Sequence, residues 1–341
     1  MMVDSENEQK PESALGAAQA STPAETPDSL AVRRALARLL RKRVKKFVAL
    51  APQVNAQANP KIVHDVRVWS RRLQQAVSAF FPKPHSGKVR RLRQTPRRIR
   101  RALGEWRNCD MLLEIVERRQ RQTRSEAKRR AWAFVRDYLL QKRPKEVARA
   151  GKKLLRQDVG DYAALAQRLL DQTPEENPEI LIQRLRDSVE RAWTEWQAAL
   201  SRAERSRAID DLHAFRVATK DLRYRTELLY DVGDKKMKAQ LKWLAALQDV
   251  LGVWHDRQVF YQAVAEAVAR AEILLNELQT ARILLARLET DRGREAEETK
   301  QIFRMATTRE ERKQMDLSSE NPLTDHASPL TGQGYLVRSE E

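Results

Sequence analysis

The apolar residues of this chain recur at helical spacing over most of its length. Between residues 29 and 50 they lie three or four positions apart, at Val32, Leu36, Leu40, Val44 and Phe47, with basic residues between them. This spacing predicts amphipathic helices with one apolar stripe each. No run of alternating β-branched residues predicts a strand, and only 10 glycines and 13 prolines interrupt the 341 residues. Because helix interiors disfavour both residue types, the pattern predicts an all-α protein.

A repeat divides this pattern into two halves. The stretch HDVRVWSRRLQQAVSAFF at 64–81 matches HAFRVATKDLRYRTELLY at 213–230, at an offset of 149 residues. The apolar positions 36, 40, 44 and 47 recur at the same offset, and LGEWRN at 103–108 matches LGVWHD at 251–256. We therefore predict a duplicated helical unit, with the two histidine helices related by a pseudo-two-fold axis.

The repeated helix carries an unusual concentration of positive charge. In the second copy, helical steps of three and four residues place four proton donors on one side of the helix: His213, Arg216, Lys220 and Arg223. A solvated charged face would normally include acidic residues three or four positions away, and here those neighbours are nearly all basic. A lone histidine is more often a core or cap residue, but two at matching repeat positions favour a shared binding role. The pattern predicts an anionic ligand.

These motifs resemble the CHAD family, the conserved histidine α-helical domain. Each half has H-x-x-R-V-x-[ST]-[KR]-x-L followed about forty residues later by L-G-x-W, and the resemblance covers roughly residues 30–305. It implies two four-helix bundles around a basic central cavity or pore that binds inorganic polyphosphate, without known catalysis by the domain. Carried onto this sequence, the first candidates for polyphosphate binding are His64, Arg67, Arg71, Arg72, His213, Arg216, Lys220 and Arg223. The second candidates are Arg93, Arg97, Arg100, Arg101, Arg107 and Arg225.

The overall charge supports a polyanionic partner. With 65 Lys and Arg against 47 Asp and Glu, the formal net charge is +18 and the pI is about 10.2. Such an excess destabilises a compact chain by self-repulsion unless a polyanion neutralises it. Residues 86–104 contain eight basic residues and no acid, so their exposed side is expected to face an anion. Nucleic acid is the alternative partner, because a basic helical surface also binds DNA or RNA non-specifically at low salt.

Enzyme interpretations find little support in the sequence. It has no Walker phosphate loop, no H-E-x-x-H, no cysteine pair and no G-x-S-x-G. We therefore expect no catalytic residue, no metal site and no cofactor. Metal binding or hydrolysis at the paired histidines would need Asp65 and Asp211, and the neighbouring Arg67 and Arg216 disfavour a divalent cation there.

The remaining expectations concern location and boundaries. The single Cys109, the absence of a secretion signal and the lack of any long apolar window predict a cytoplasmic chain without a membrane span, associated with polyphosphate granules. We expect disordered tails at 1–28 and 306–341 around one CHAD domain at 29–305, with halves at 29–172 and 178–305. Within them, Gly104 and Gly252 are expected to end helices or to mark points of close packing, Asp110 and Asp256 to cap the following helices, and Pro144 to interrupt a helix.

Overall fold

The computed structural model describes residues 27–81, 86–171, 178–270 and 277–307, with no side chains described at 27–33 or 178. These residues form ten α-helices and no strand, which confirms the predicted all-α class. The helices are α1 Pro27–Leu50, α2 Pro60–Phe80, α3 Gly87–Ala102, α4 Gly104–Gln122, α5 Glu126–Leu154, α6 Tyr162–Asp171, α7 Pro178–Ser206, α8 Ile209–Asp231, α9 Lys238–Val268 and α10 Leu278–Thr307. The two predicted tails lie outside the described residues, apart from 27, 28, 306 and 307, which are helical. Most of the acidic, proline-containing segment 171–178, expected to link the two halves, also lies outside them, while 171 and 178 are helical.

Two apolar clusters form the core. The larger joins α1, α2, α3, α6, α7 and α8 to the first part of α9 and to the last turns of α10, and it includes Trp106 of α4 and Ala150 of α5. The smaller joins α4 and α5 to the last part of α9 and to α10. Helix α9 therefore contributes to both clusters. None of the described helices is long and apolar enough to cross a membrane.

Positions that match in the sequence repeat are buried alike. Leu73 and Leu222 are both fully buried, and Trp106 and Trp254 are each 1 % exposed. The hydroxyl of Ser70 donates to the carbonyl oxygen four residues earlier at 2.6 Å, and the matching hydroxyl of Thr219 does the same at 2.9 Å. Such bonds let a small polar residue lie in a buried helix face without an unpaired hydroxyl.

The expected breaks at Gly252 and Asp256 are wrong, because both residues lie inside the continuous helix α9. In the first half, α3 does end near the expected place, and Leu103 separates it from α4, which begins at Gly104. Asp110 is also not a cap, since it lies within α4 and forms an ion pair with Arg143 at 2.6 Å. One glycine costs an exposed helix only about 1 kcal/mol. The buried side chains on either side of Gly252 are sufficient to offset such a cost.

The expected interruption at Pro144 is also wrong, because α5 continues through it. Proline lacks the N–H that would bond to the carbonyl four residues earlier. For Pro144 that carbonyl belongs to Leu140, whose side chain is 49 % exposed, so water has access to this part of the helix. In α3, Pro96 similarly deprives the carbonyl of Leu92, and here the buried Tyr162 hydroxyl of α6 donates to that oxygen at 2.6 Å. Both prolines are therefore accommodated without ending a helix.

A buried arginine ties three helices together. Arg43 of α1 is 2 % exposed, and it donates to the backbone oxygen of Arg72 in α2 and to the carboxylate of Asp231 in α8, both at 2.8 Å. Its guanidinium also lies 3.8 Å from the carboxylate of Glu227. These contacts hold α2 and α8 in a fixed relation through α1.

Candidate functional site

The basic faces of α2 and α8 lie against each other. The charge of Arg216 on α8 acts on Arg67 of α2, and the charges of Arg67 and Arg71 act on Lys220 of α8. Helices α4 and α9 add further groups to the same place. We call this set the basic cluster, and its members are His64, Arg67, Arg71, Arg107, His213, Arg216, Lys220 and His255, together with the carboxyl group of Asp256.

Specific contacts orient the members of the basic cluster. Arg67 donates to the backbone oxygen of Arg100 in α3 at 2.9 Å, which brings α3 beside the cluster. The guanidinium of Arg71 lies 5.7 Å from the centre of the Tyr224 ring, within the range of a cation–π interaction. The imidazole rings of His213 and His255 have their centres 5.3 Å apart. The cluster is thus assembled from four helices, α2, α4, α8 and α9, with α3 packed beside it.

Burial and mutual repulsion make the arginines of the cluster costly to charge. Burial, followed by repulsion from Arg71, Arg107 and Arg216, lowers the pKa of Arg67 to about 10. Burial likewise lowers the pKa of Arg216 and of the neighbouring Arg100 to about 10. All three remain charged at neutral pH, so the folded chain holds positive charges in a poorly solvated place.

Lys220 is the most perturbed cation of the cluster. Burial, followed by repulsion from Arg216 and Arg71, lowers the pKa of Lys220 from 10.5 to about 6. Its amine is therefore mostly neutral at pH 7.5 in the unliganded chain. An anion placed among the arginines would cancel part of the repulsion, so its binding would be accompanied by proton uptake at this amine.

The pKa values of the imidazoles in the cluster are lowered as well. Partial burial, followed by repulsion from Arg107, lowers the pKa of His64, and partial burial followed by repulsion from Arg216 lowers the pKa of His213. His255 is affected more strongly, and its pKa falls to about 3. The imidazoles are neutral at pH 7.5, and a bound anion would favour their protonation.

Sequence reasoning missed Asp256 as a member of the cluster, because it was interpreted as a helix cap. Its carboxyl group lies near Arg216, Arg107 and Lys220, and burial outweighs these charges so that the pKa of Asp256 is raised. His255 is not among the first or second candidates named from the sequence, although it matches Arg107 of the first half. The repeat could have indicated both residues, because they belong to the LGVWHD motif, which matches LGEWRN of the first half.

Two predicted binding residues are held by acids instead. Arg72 lies 2.8 Å from the carboxylate of Glu227, with its guanidinium 5.2 Å from the centre of the Trp69 ring. Arg225 pairs with Asp221 and donates to the hydroxyl of Ser188, both at 2.7 Å. Neither joins the basic cluster.

The other predicted binding residues lie around the cluster or apart from it. Arg97 and Arg101 lie near Arg100 on α3, where their charges act on it, and both are exposed. Arg93 lines a separate cavity of about 330 Å³ between α2, α3, α7 and α8, and Arg225 lines the same cavity. Arg223 is half-buried on α8. The binding role of each of these residues stays a prediction.

The geometry agrees with what comparison with known proteins finds. The family model of the CHAD domain matches residues 38–265, about two thirds of the chain. The chain belongs to the CHAD domain family. Its fold is similar to the crystal structure of the CHAD domain from the plant Ricinus communis, with 19 % identity, a TM-score of 0.60, and coverage of 82 % of this chain and 92 % of that one. It is also similar to PptA from Streptomyces chartreusis, with 18 % identity, a TM-score of 0.52, and coverage of 80 % and 98 %.

At these identities the two structures support the fold of this CHAD domain and not its ligand. No curated protein sequence matches the chain. Across the described ranges, no three His, Cys, Asp or Glu side chains group as ligands of a metal ion would. The ligand of the basic cluster must therefore be argued from its own chemistry.

Proposed function

We propose that this CHAD domain binds inorganic polyphosphate at the basic cluster and in this way associates with polyphosphate granules, without catalysing a reaction. The observation that carries the proposal is the convergence of cationic and imidazole side chains from α2, α4, α8 and α9, with few carboxylates to neutralise them. A folded protein bears such repulsion only at a cost in stability. An anion that satisfies several of these groups at once would offset that cost.

The chemistry of the cluster suits a chain of phosphates. Guanidinium groups hold two oxygens in a planar fork and keep their charge, so Arg67, Arg71 and Arg216 would make charge-assisted hydrogen bonds to non-bridging oxygens. The neutral Lys220 amine and the imidazoles would gain protons as the polymer enters. Release of counterions condensed on the polymer would add a favourable term that weakens as salt rises.

We infer that the two halves form two four-helix bundles related by a pseudo-two-fold axis, with the basic cluster lining a cavity or pore between them. The equal burial of matched residues and the paired hydroxyl bonds of Ser70 and Thr219 support this arrangement. A two-fold site would present similar donors to successive parts of a repeating polymer. The polymer could then bind in many different registers along its length.

Nucleic acid is the second candidate function, on the strength of the net charge of +18. Single-stranded nucleic acid is usually held by stacking bases on exposed aromatic rings. Of the tryptophans close to the cluster in sequence, Trp106 and Trp254 are each 1 % exposed. The half-buried Trp69 has the guanidinium of Arg72 5.2 Å from the centre of its ring. This burial favours polyphosphate, which has no bases, as the physiological ligand.

A competition experiment distinguishes the two ligands. We expect long-chain polyphosphate to displace a labelled single-stranded oligonucleotide from the full chain at physiological salt. Failure of this displacement would favour the nucleic-acid function. Phosphate release from bound polyphosphate should stay at background, and sustained release would overturn the absence of catalysis.

Paired variants test the site itself. Replacing both Arg67 and Arg216 with glutamine should weaken polyphosphate binding by about 100-fold or more, since each hydrogen bond to a charged group contributes about 1.5–3 kcal/mol. Arg294→Gln removes one charge from the exposed surface of α10 and is the control, with an expected change of less than about threefold at physiological salt. In cells, a fluorescent fusion of the double variant should leave polyphosphate granules, while the control remains with them. Equal losses of polyphosphate affinity in the double variant and in the control would mean that net charge, and not the cluster, governs binding.

A further inference from the structure

A cavity of about 420 Å³ lies between the end of α4, the start of α5 and the first half of α10. Trp132 and Ile283 form an apolar wall together with Ala286, and the first two belong to the smaller core cluster or pack against it. Sites for small organic molecules usually measure about 300–1,000 Å³, and they often lie between the helices of a bundle. We call this space the α4–α5–α10 cavity, and its size is that of a site for an organic molecule.

The α4–α5–α10 cavity is separate from the basic cluster. Arg107 of the cluster lies in the first turns of α4, whereas Arg119, which lines the cavity, lies near the end of the same helix. An α-helix rises about 1.5 Å per residue, so the backbones of these two arginines are about 18 Å apart. No member of the basic cluster lines the cavity. A ligand of the cavity therefore uses its own set of side chains.

The cavity combines its apolar wall with positive charge. The cations that line it are Arg119, Lys128 and Arg287, and no carboxyl group of the described residues lines it. Behind the lining, the buried carboxyl group of Asp291 accepts a hydrogen bond from Arg119 at 2.6 Å and forms an ion pair with Arg287 at 3.2 Å. Because one carboxylate serves both arginines, it neutralises one of the three positive charges. The remaining charge favours an anionic ligand.

The guanidinium of Arg119 is held in place by its neighbours. It lies 5.3 Å from the centre of the Trp132 ring and 4.4 Å from the centre of the Phe260 ring, both within the range of a cation–π interaction. Asp291 is bonded to one nitrogen of Arg119 and one of Arg287. A guanidinium has several N–H donors, so each arginine keeps donors for a further acceptor. Because Arg119 is already ordered, little side-chain entropy is lost when a ligand binds to it.

The hydroxyl groups of the cavity already use their protons. The hydroxyl of Thr123 donates to the carbonyl oxygen four residues earlier at 2.7 Å, and that of Thr290 does the same at 2.9 Å. Each hydroxyl has a single proton, so the donors left for a ligand are the three cations and the exposed amide of Gln122. Hydrogen bonds between ionised partners are shorter and stronger than those between neutral groups. The polar end of the ligand is therefore expected to be an anion.

We propose that the α4–α5–α10 cavity binds a medium-chain fatty carboxylate, with its carboxylate on the three cations and its alkyl chain against the apolar wall. The planar fork of an arginine matches the two oxygens of a carboxylate. Trp132 is 5 % exposed and Arg119 lies over its ring, so an aromatic ligand finds no open ring face on which to stack. A flexible alkyl chain can follow such a wall. Inorganic polyphosphate has no apolar surface to bury there, so the cavity favours the carboxylate.

The test is isothermal titration calorimetry of the full chain with hexanoate, octanoate and decanoate, all below their micelle concentrations. We expect one saturable site whose affinity rises about fourfold for each methylene group that the longer chain buries. Octanol has the same chain without the charge, and it should bind at least about tenfold more weakly than octanoate, because it lacks the hydrogen bonds between ionised groups. An affinity that does not depend on chain length, or equal affinities for octanol and octanoate, would overturn the proposal.

Variants on α10 test the position of the site. Arg287→Gln should weaken octanoate binding about tenfold, and the fold should persist because Asp291 keeps its bond to Arg119. Ala286→Phe fills the cavity from an exposed position and should weaken binding by at least about tenfold as well. Arg294→Gln removes the same charge from another exposed position of the helix and is the control, with an expected change of less than about threefold. Equal losses in the two arginine variants would mean general charge attraction and would overturn the site.

Polyphosphate binding is measured on the same preparation, which separates this proposal from the proposed function. Saturating polyphosphate should leave the affinity for octanoate within about threefold, because the two sites share no side chain and are about 18 Å apart along α4. Loss of octanoate binding in the presence of polyphosphate would show that the polymer occupies the cavity, and it would overturn the proposal. Octanoate binding by a chain that fails to bind polyphosphate would support the cavity site and contradict the proposed function.

Discussion

Replacing Lys220 with methionine should stabilise the folded chain, and the gain should grow as the pH falls. The pKa of Lys220 is about 6 in the folded chain and near 10.5 when the chain is unfolded. Between these values the unfolded state binds a proton that the folded state does not, so the free energy of unfolding falls as pH falls from 10.5 to 6. Methionine does not titrate, so its variant avoids this loss.

The size of the effect follows from the span of pH. Each pH unit between the two pKa values changes the free energy of unfolding by about 1.36 kcal/mol, so Lys220 lowers stability by roughly 4 kcal/mol at pH 7.5 and roughly 6 kcal/mol below pH 6. Water near the half-buried amine and movement of the arginines reduce this, and we expect about 2 kcal/mol at pH 7.5. Methionine has a similar length and is flexible enough to fill the same space.

Urea unfolding of the full chain at pH 6, 7.5 and 9, without polyphosphate, measures this difference. The stability gain of Lys220→Met should be largest at pH 6 and small at pH 9. Lys61→Met, at the exposed position on α2, is the matched control and should show no such trend. A gain that does not vary with pH, or a loss at every pH, would refute the reasoning about charge in the cluster.

Three further measurements test the site and the fold. Polyphosphate affinity at low salt should rise as pH falls from 8 to 6, because bound phosphate raises the lowered pKa values of His64 and Lys220. An affinity that does not change over this pH range would show that binding involves no proton uptake. Arg71→Gln should weaken polyphosphate binding about tenfold in a filter-binding assay. The neighbouring Arg72→Gln should have little effect, because Glu227 already holds that guanidinium. Equal losses of affinity in the two variants would contradict the assignment of Arg71, and not Arg72, to the basic cluster. Tyr162→Phe should lower the free energy of unfolding by about 1–3 kcal/mol, because it leaves the buried α3 carbonyl unpaired, and adding Pro96→Ala should recover part of that loss in a double-mutant cycle.

The all-α fold was predictable because helical periodicity is local. Apolar spacing alone located the buried stripe of α1, and the repeat indicated which residues would be buried alike, such as Leu73 and Leu222. The continuity of α9 through Gly252 was not predictable in this way. It depends on burial on either side of the glycine, and burial is set by contacts with other helices.

The candidate site was predictable in part. His64, Arg67 and Arg71 share one helix face by their spacing, and they do meet the matching face of α8 in the structure. Successive residues of a helix point about 100° apart, so Arg72 had to point away from Arg71, and a stricter use of the same periodicity would have separated them. Asp221, which holds Arg225, lies four residues earlier on the same helix, so the spacing alone could also have indicated that ion pair. Glu227, which holds Arg72 from another helix, could not be foreseen, because that contact follows from how the helices pack.

The continuity of α9 also bears on how the chain can be shortened. This helix has 31 residues, a length of about 46 Å, and its last turns place Phe260, Val264 and Ala267 in the smaller core cluster against α5 and α10. A chain cut at residue 265, where the family match ends, would lose α10 and leave an apolar helix face open to water. Such a fragment is expected to aggregate, so expression and crystallisation should retain the chain through residue 307.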